Sequence, residues 1–349
     1  MQGEYKVPGG KLVVANVEVK DQHLANVSIS GDFFLEPDSA LEDINRALSG
    51  LPADTKSRQL TETIEAALDD NVEMYGFSAQ AVAIAVRRAL GQASGWFDHV
   101  FDIIPPMTLP AAQHVALDEV IVNSVASGKR SPTLRFWDWP DSVTVIGLFQ
   151  SLKNEIDPLG AERHGIEIVR RVTGGGAMFM EPGNCITYSL VVPASLVEGM
   201  TFEQSYAFLD DWVLGALAEV GIKAHYVPIN DIASDKGKIG GAAQRRFGNG
   251  VVLHHVTMAY DINADRMLEV LRIGREKLSD KGTASANKRV DPMRSQTGME
   301  REAIIESFIG HFQQRYNCQL SRYEEEELAE AHALIDSKFK TPEWVEKVI

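Results

Sequence analysis

The sequence predicts an α+β protein built from two modules, and three observations carry this prediction. The first ninety residues contain β-type runs followed by helical patterns, which is typical of a compact α+β module. Residues 91–110 then combine glycines with three prolines, which interrupt regular structure. Beyond this stretch, strands and helices alternate. We therefore place an N-terminal module at residues 1–95 and a larger module at residues 96–349.

The composition limits what this chain can do. It has 349 residues, 44% of them hydrophobic, which is enough to build the cores of two domains. A net charge of −15 disfavours binding to nucleic acid or to an anionic membrane. The two cysteines, Cys185 and Cys318, argue against a disulfide framework and favour a reducing compartment. The first residues lack a signal-peptide core and no run reaches membrane-spanning length, so we expect a soluble cytoplasmic protein.

The N-terminal module begins with strands and continues with helices. Alternating apolar residues predict three strands, over residues 11–19, 24–29 and 33–35. Helical patterns follow near residues 39–48, 61–68 and 78–90. Ser39 and Glu42 form a capping-box signature for the first helix, and Ser78 is a candidate cap for the third.

The larger module alternates between the two patterns. Helices are predicted over residues 111–127, 157–164, 201–220, 264–273, 301–312 and 323–337. Strands are predicted over residues 133–137, 142–147, 166–169, 185–192 and 250–260. Asp157 followed by Pro158 is a good start for a short helix, and Thr201 with Gln204 forms a second capping-box signature.

Residues 170–177, Arg-Arg-Val-Thr-Gly-Gly-Gly-Ala, place two guanidinium groups before three glycines. Consecutive glycines are costly in backbone entropy, so they suggest a loop whose bare N–H groups approach an anionic ligand. Arg170 and Arg171 supply forked donors for phosphate or carboxylate, and Thr173 either adds a hydroxyl or stabilises the turn. The spacing matches neither the dinucleotide-binding nor the Walker motif, and a tight turn between strands is the alternative.

Lys238 begins the run Lys-Ile-Gly-Gly-Ala-Ala, which is too small and apolar for an exposed loop. A lysine in such a place keeps its charge only beside an anion, such as a carboxylate or an α-phosphate. Asn230 and Asp231 precede it, and Asp231 is a candidate Mg²⁺ ligand because this ion prefers a few carboxylate oxygens together with phosphate. An Asx turn is the alternative for Asn230. The two stretches together predict a site for a nucleotide and a carboxylate.

Other polar residues give weaker indications. His254 and His255 lie in a predicted strand, so their rings face opposite sides and only one is expected near the site. Asp118 and Glu119 on the helix of residues 111–127 are expected to be packing or solvated residues rather than an acid/base pair. Cys185 starts an apolar strand and is expected to be buried and inert.

Taken in order, these stretches resemble lipoate–protein ligases, whose catalytic domain has the biotin/lipoate ligase-like fold of mixed and antiparallel sheets flanked by helices. The N-terminal module resembles the small accessory domain of these ligases. The matching residues are Ala116-Leu117-Asp118-Glu119, Val145-Ile146-Gly147 with Gln150, Arg170 to Ala177, Gly183-Asn184, Asn230-Asp231, Lys238 to Gln244, and Lys277-Leu278 with Lys281-Gly282.

The resemblance implies that lipoate reacts with the α-phosphate of MgATP to give lipoyl-adenylate, which then acylates an acceptor lysine. It makes Lys238 the catalytic residue and Asp231 the ligand of Mg²⁺. Nucleotide and lipoate would be bound by Arg170, Arg171, Thr173, Gly174, Gly175, Gly176, Ala177, Asn184, Asn230, Gly240, Gly241 and Ala242. The implied partners are apo lipoyl domains of 2-oxoacid dehydrogenase complexes and the H protein of glycine cleavage.

Two departures from the family pattern leave alternatives. Met180-Glu181 stands where members commonly carry His-Asp, which puts one nucleotide or metal contact in question and would suit a protein that binds its ligand without chemistry. ATP-independent octanoyl or lipoyl transferases share the fold. Those that act through a thiol carry a cysteine shortly before the lysine motif, and residues 225–238 contain none, which favours the ATP-using ligase.

Overall fold

A computed structural model of the protein describes residues 1–7, 9–262, 264–272 and 290–348. The chain divides into two compact units. The first consists of Met1–Asp98 with Ala194–Phe208, and the second consists of His99–Pro193 with Leu209–Ile349. The expected motif residues Lys277, Leu278, Lys281 and Gly282 lie outside the described residues.

The first unit is a three-stranded antiparallel sheet packed against helices, with a separate two-stranded pair. Its strands are β1 (Gln2–Lys6), β2 (Leu12–Lys20), β3 (His23–Gly31), β4 (Phe34–Glu36) and β5 (Glu73–Tyr75). Its helices are α1 (Ala40–Leu48), α2 (Ser57–Ala67) and α3 (Ala79–Ala89). Helix α3 approaches β1 closely, because a Cβ at Gly3 would lie 2.1 Å from the Ala89 nitrogen.

The second unit holds the remaining strands and helices. Its strands are β6 (Phe101–Thr108), β7 (Thr133–Asp138), β8 (Val143–Ile146), β9 (Glu167–Arg170), β10 (Met178–Met180), β11 (Cys185–Pro193), β12 (His225–Val227), β13 (Asp231–Ser234), β14 (Gly237–Arg246), β15 (Val251–Ala259) and β16 (Cys318–Leu320). Its helices are α4 (Ala111–Ala126), α5 (Leu152–Glu155), α6 (Pro158–Arg163), α7 (Phe202–Glu219, which begins in the first unit), α8 (Ala264–Val270), α9 (Met293–Thr297), α10 (Arg301–Arg315), α11 (Glu325–Leu334) and α12 (Pro342–Val345).

Two sheets organise the second unit. The larger has eight strands in the order β12-β13-β14-β15-β11-β7-β6-β16, and the smaller has the order β10-β8-β9. Among the described strands of this unit, pairing is antiparallel except for β6 with β7, β6 with β16 and β8 with β9. The apolar helix α4 contributes Val115, Leu117 and Ile121 to a fully buried core that also contains Trp137 and Leu253. This core supports the strands that carry the site.

The observed elements confirm the predicted fold class of mixed sheets flanked by helices. Three predicted caps are confirmed: Ser78 accepts from Ala81, Asp157 from Leu159 and Gly160, and Thr201 exchanges hydrogen bonds with Gln204. The capping box at Ser39 was wrong, because its side chain makes no capping hydrogen bond. Within the described residues, no helix combines the length and apolar character needed to cross a membrane.

Candidate active site

The loop that joins β9 to β10, residues 171–177, is hereafter called the glycine loop. Gly175 has φ +91°, and a Cβ there would lie 2.9 Å from a terminal nitrogen of Arg171. A Cβ at Gly147 would lie only 2.1 Å from the Gly175 carbonyl oxygen. Packing and backbone conformation therefore require glycine at both positions. Gly176 differs, because among the described residues no atom lies within 4 Å of the position that a Cβ would take there. With respect to these residues, its bare backbone leaves room for a ligand.

Strands β13 and β14 form the opposite part of the site. Asp231 begins β13, and Lys238 lies near the start of β14, where its Nζ is 2.7 Å from Asp231 Oδ1. A Cβ at Gly241 would lie 3.1 Å from that Nζ, and one at Gly240 would lie 2.7 Å from the Thr257 carbonyl oxygen. Gly241 thus leaves room for the Lys238 side chain beside its own strand, whereas Gly240 allows the close approach of β14 to β15.

A cavity of about 510 Å³ lies between the glycine loop and these strands. Ten of the predicted site residues line it: Arg171, Gly175, Gly176, Ala177, Asn230, Asp231, Lys238, Gly240, Gly241 and Ala242. Its apolar lining includes Met178, Phe179, Ile262, Met267 and Leu271. The cavity therefore offers a cation beside a carboxylate, bare backbone, and an apolar wall.

A buried hydrogen-bond chain leads from the glycine loop to α4. The Nε of Arg171 donates to Thr173 Oγ1 at 3.0 Å, and Thr173 Oγ1 lies 2.7 Å from His255 Nε2. The other ring nitrogen of His255, Nδ1, lies 3.1 Å from Asp118 Oδ2. Arg135 donates to Asp118 Oδ1 at 2.5 Å. Strand β15 places His255 at the cavity wall, so this chain links the cavity to the core.

Electrostatics fixes the direction of this chain. Burial would raise the pKa of Asp118, but the Arg135 guanidinium and the hydrogen bond from His255 outweigh it and hold that pKa at about 2. Burial lowers the pKa of His255, so its ring is neutral. An ionised Asp118 requires the ring proton on Nδ1, which leaves Nε2 to accept from the Thr173 hydroxyl. Thr173 thereby presents its lone pairs to Arg171 and orients that guanidinium.

Comparison with known proteins identifies the family to which this chain belongs. The model of the lipoyl protein ligase A/B catalytic domain matches residues 110–313, which is more than half of the chain. The chain belongs to this family. The predicted resemblance is thereby confirmed, and the protein is an enzyme of the lipoate ligase and transferase group.

Similar proteins include both octanoyltransferases and lipoate ligases. The octanoyltransferase LipM of Geobacillus kaustophilus is 28% identical over 264 residues, covering 67% of this chain and 94% of the relative. A bi-partite lipoate protein ligase of Thermoplasma acidophilum, solved in a study that includes its E2 lipoyl domain, is 26% identical with a TM-score of 0.62, covering 72% of this chain and 98% of the other. A lipoate-protein ligase A bound with ATP shares the fold at 23% identity and a TM-score of 0.61, covering 72% of this chain and all of the other.

Arg170 was expected to bind the ligand, but it does not line the cavity. Its side chain is fully buried and donates to backbone carbonyl oxygens, including Gly147 at 2.9 Å, Gln150 at 2.7 Å and Val345 at 2.8 Å. Burial lowers its pKa. The expected contact of Arg170 with phosphate or acyl chain therefore finds no support in its position, whereas its neighbour Arg171 borders the cavity.

Thr173, Gly174 and Asn184 also do not line the cavity. Thr173 acts on Arg171 as described, and Gly174 lies against the exposed ring of Phe149. Asn184 accepts from the Glu181 amide at 2.9 Å and so shapes the turn before β11. These three residues support the site from its edges.

The two residues that replace the family's His-Asp take different positions. Met180 is fully buried in the core, where an imidazole would need hydrogen-bond partners. Glu181 forms an ion pair with Arg266 of α8. The Glu181 carboxylate is therefore held by a neighbouring arginine, and it also borders a smaller polar hollow with Asn184 and Asp261.

The described residues offer little support for a metal site built from protein ligands or for a reactive thiolate. In the described part of the chain, no group of three His, Cys, Asp or Glu residues could hold a metal ion. Cys185 lines the cavity but is fully buried, and burial raises its pKa to about 12. Cys318 lies in β16, at the far edge of the large sheet from β13. The expectation that Cys185 is buried is confirmed, and a thiolate at this site is strongly disfavoured.

Several features were missed from the sequence. Residues 225–246 form three strands, although the small residues of β14 gave no strand signal. Asp118 was expected to be solvated or packing, and it is a fully buried partner of Arg135 and His255. The prediction that the two histidines face opposite sides is confirmed, because His254 Nε2 lies 2.6 Å from the buried Asp210.

Proposed function

We propose that this protein ligates lipoate to the acceptor lysine of lipoyl domains in an ATP-dependent reaction, through a lipoyl-adenylate. The observation that carries the proposal is the Lys238 ammonium group, which lies 2.7 Å from Asp231 inside a cavity bordered by bare glycine backbone on both sides. A carboxylate substrate and an α-phosphate are the anions that such a cation and such backbone suit.

In the first half-reaction, a carboxylate oxygen of lipoate attacks the α-phosphorus of ATP and pyrophosphate leaves. In the second, the amine of an acceptor lysine attacks the acyl carbon, the C–O bond to phosphate breaks, and AMP leaves. Lys238 stabilises the negative charge that develops in both steps, and Arg171 with the glycine loop supports the phosphates. This is electrostatic stabilisation by groups already in place rather than covalent catalysis.

The apolar wall supports an acyl substrate. Met178, Phe179, Met267 and Leu271 offer the contacts that a medium-length hydrocarbon chain requires, and 510 Å³ lies within the range of about 300–1,000 Å³ typical of ligand cavities. Asp231 would hold Mg²⁺ together with substrate phosphates, since this ion is usually bound by one or two carboxylates and keeps several waters. Bound Mg²⁺ would supply neutralisation of phosphate charge.

The state of the cysteines supports the use of ATP. A transferase that forms an acyl-thioester on itself needs a thiolate near Lys238. The sequence contains two cysteines, of which one is buried with a pKa of about 12 and the other lies in β16. Activation of the acid by a nucleotide needs no protein thiol.

The N-terminal module also supports the proposal that the protein is a ligase. The Thermoplasma acidophilum relative is described as a bi-partite ligase, and the present chain is longer than that match, which covers 72% of it. We propose that residues 1–95 are the accessory domain and residues 96–349 the catalytic domain. The acceptors proposed are apo lipoyl domains of 2-oxoacid dehydrogenase complexes and the glycine cleavage H protein.

ATP-independent octanoyl transfer is the second candidate. It is favoured by the LipM octanoyltransferases, which are 24–28% identical to this chain and matched over 93–94% of their length. This reaction would use octanoyl carrier protein as donor and would need no nucleotide. The same cavity would then hold the octanoyl chain, with Lys238 beside the thioester carbonyl.

One experiment separates these reactions. Apo lipoyl domain is incubated with the protein and lipoic acid, with and without MgATP, or with octanoyl carrier protein alone, and the acceptor mass is measured. The proposal expects a lipoyl adduct only with MgATP, lost in Lys238→Ala and kept in Lys236→Ala, an exposed lysine in the neighbouring turn. An octanoyl adduct without nucleotide would establish the second candidate. No adduct from either donor, with lipoate still bound, would indicate a protein that binds without chemistry.

A further inference from the structure

Arg170 is a buried cation held by backbone dipoles. Its guanidinium donates to six carbonyl oxygens, those of Gly147, Leu148, Gln150, Trp344, Val345 and Val348. Over the residues that the structure describes, no carboxylate shifts its pKa or forms an ion pair with it. Burying a charge in this way is costly unless every donor is satisfied, so the six carbonyls must be held in place together.

These carbonyls belong to two segments far apart in sequence. One is the 147–150 loop after β8, and the other is the C-terminal segment of residues 341–348, which contains α12. Leu152, at the start of α5 just after this loop, also contacts the C-terminal segment, because its amide donates to the Val348 carbonyl at 2.9 Å. Arg170 therefore joins the C-terminal segment to the 147–150 loop.

The 147–150 loop in turn supports the glycine loop. The Leu148 amide donates to the Thr173 carbonyl at 2.7 Å, and Gly147 is in close contact with the Gly175 carbonyl. Gln150 lines the cavity, and its side-chain oxygen accepts from the Gly147 amide at 2.8 Å. A shift of this loop would move both the glycine loop and one cavity wall.

Trp344 fixes the other side of Arg170. Its indole Nε1 donates to the Arg170 carbonyl oxygen at 2.8 Å. Its ring packs edge-on against the buried Phe339, with the ring centroids 5.6 Å apart. The hydroxyl of Thr341 accepts from the Trp344 amide at 3.3 Å and begins the short helix. The C-terminal segment thus contacts both the guanidinium group and the backbone carbonyl of Arg170.

We propose that Arg170 and Trp344 are positioning residues for the site: the C-terminal segment, acting through Arg170, holds the 147–150 loop and the glycine loop in the geometry that binds nucleotide phosphates. Neither residue lines the cavity. The proposal rests on the proposed function for its kinetic consequence, and it also makes a structural statement that does not depend on activity.

Two substitutions and one control test it. Trp344→Phe removes the indole donor but keeps a smaller aromatic ring, Trp344→Ala removes the ring as well, and Glu343→Gln changes an exposed neighbour on α12. In full-length protein, we expect Trp344→Phe to raise KM for ATP about fivefold while kcat stays within about twofold, because one hydrogen bond that positions the loop is lost. Trp344→Ala should have a larger effect in the same direction, and Glu343→Gln none.

Amide hydrogen exchange provides the second measurement. The Leu148 amide and the glycine loop should exchange about fivefold faster in Trp344→Phe than in wild type or Glu343→Gln. Equal exchange in all three proteins, or a KM for ATP that does not change, would overturn the proposal. If the wild type lacks ATP-dependent activity, the proposed function fails, and the exchange rates alone decide whether the C-terminal segment positions the loop.

Discussion

Thr173 joins the glycine loop to the core, and its replacement by valine tests that connection. Valine has nearly the same shape but lacks the hydroxyl that donates to His255 Nε2 and accepts from Arg171 Nε. Both partners are buried, with exposed fractions of 3% for His255 and 1% for Arg171, so each has little access to water as a replacement partner. Leaving each unsatisfied costs about 1–3 kcal/mol, which predicts a loss of about 2–6 kcal/mol in the free energy of unfolding.

Thr173→Ser is the matched control, because it keeps the hydroxyl and loses one methyl group. Its expected cost is about 1 kcal/mol. Denaturant unfolding followed by fluorescence or circular dichroism compares the two variants, and pyrophosphate release compares their acid activation. We expect Thr173→Val to lose more of both, because Arg171 also loses an anchor. Equal stability of the two variants would refute the hydrogen-bond chain from Arg171 through Thr173 to His255.

Four further predictions follow from the site. Gly176→Ala should leave the unfolding free energy within about 0.5 kcal/mol of wild type but weaken ATP binding in calorimetry, because the added methyl meets no atom of the described residues and enters the proposed ligand space. Unchanged affinity would argue against backbone contact there. Gly241→Ala should lower acid activation about tenfold, because its Cβ would lie 3.1 Å from Lys238 Nζ, and full activity would show that the lysine position is not critical. Burial and the nearby Arg135 lower the pKa of His114 from 6.5 to about 3, so the unfolded state binds more protons than the folded state between these pH values. The free energy of unfolding should therefore fall as the pH drops from about 6.5 towards 3. His114→Gln should reduce this pH dependence, and an unchanged dependence would contradict the assignment. Asp231→Asn should raise the Mg²⁺ concentration needed for half-maximal activity, and an unchanged Mg²⁺ dependence would remove Asp231 as a metal ligand.

Much of the cavity could be predicted because its chemistry is local in sequence. Three consecutive glycines beside arginines, and a lysine followed by small residues, each indicate an unusual backbone environment without knowledge of the fold. Ten of the residues expected from these patterns line one cavity. Alternation along β15 was also enough to place His254 and His255 on opposite sides of the sheet.

The remainder depends on contacts between distant residues. Asp118 and His255 are 137 positions apart, and nothing local to either one indicates their pairing. The different environments of Arg170 and Arg171 cannot be read from their positions in the sequence, because half of the six carbonyl oxygens that hold Arg170 come from residues 344–348. The strand β14 was missed because packing against β13 and β15 overrides the low β-propensity of its glycines and alanines.

Lipoate-dependent exchange of labelled pyrophosphate into ATP tests the central claim most directly, because it reports the first half-reaction without any acceptor. We expect exchange that requires lipoate and Mg²⁺, is lost in Lys238→Ala and is retained in Lys236→Ala. Absence of exchange in the wild type, together with octanoyl transfer from carrier protein to a lipoyl domain without nucleotide, would contradict it.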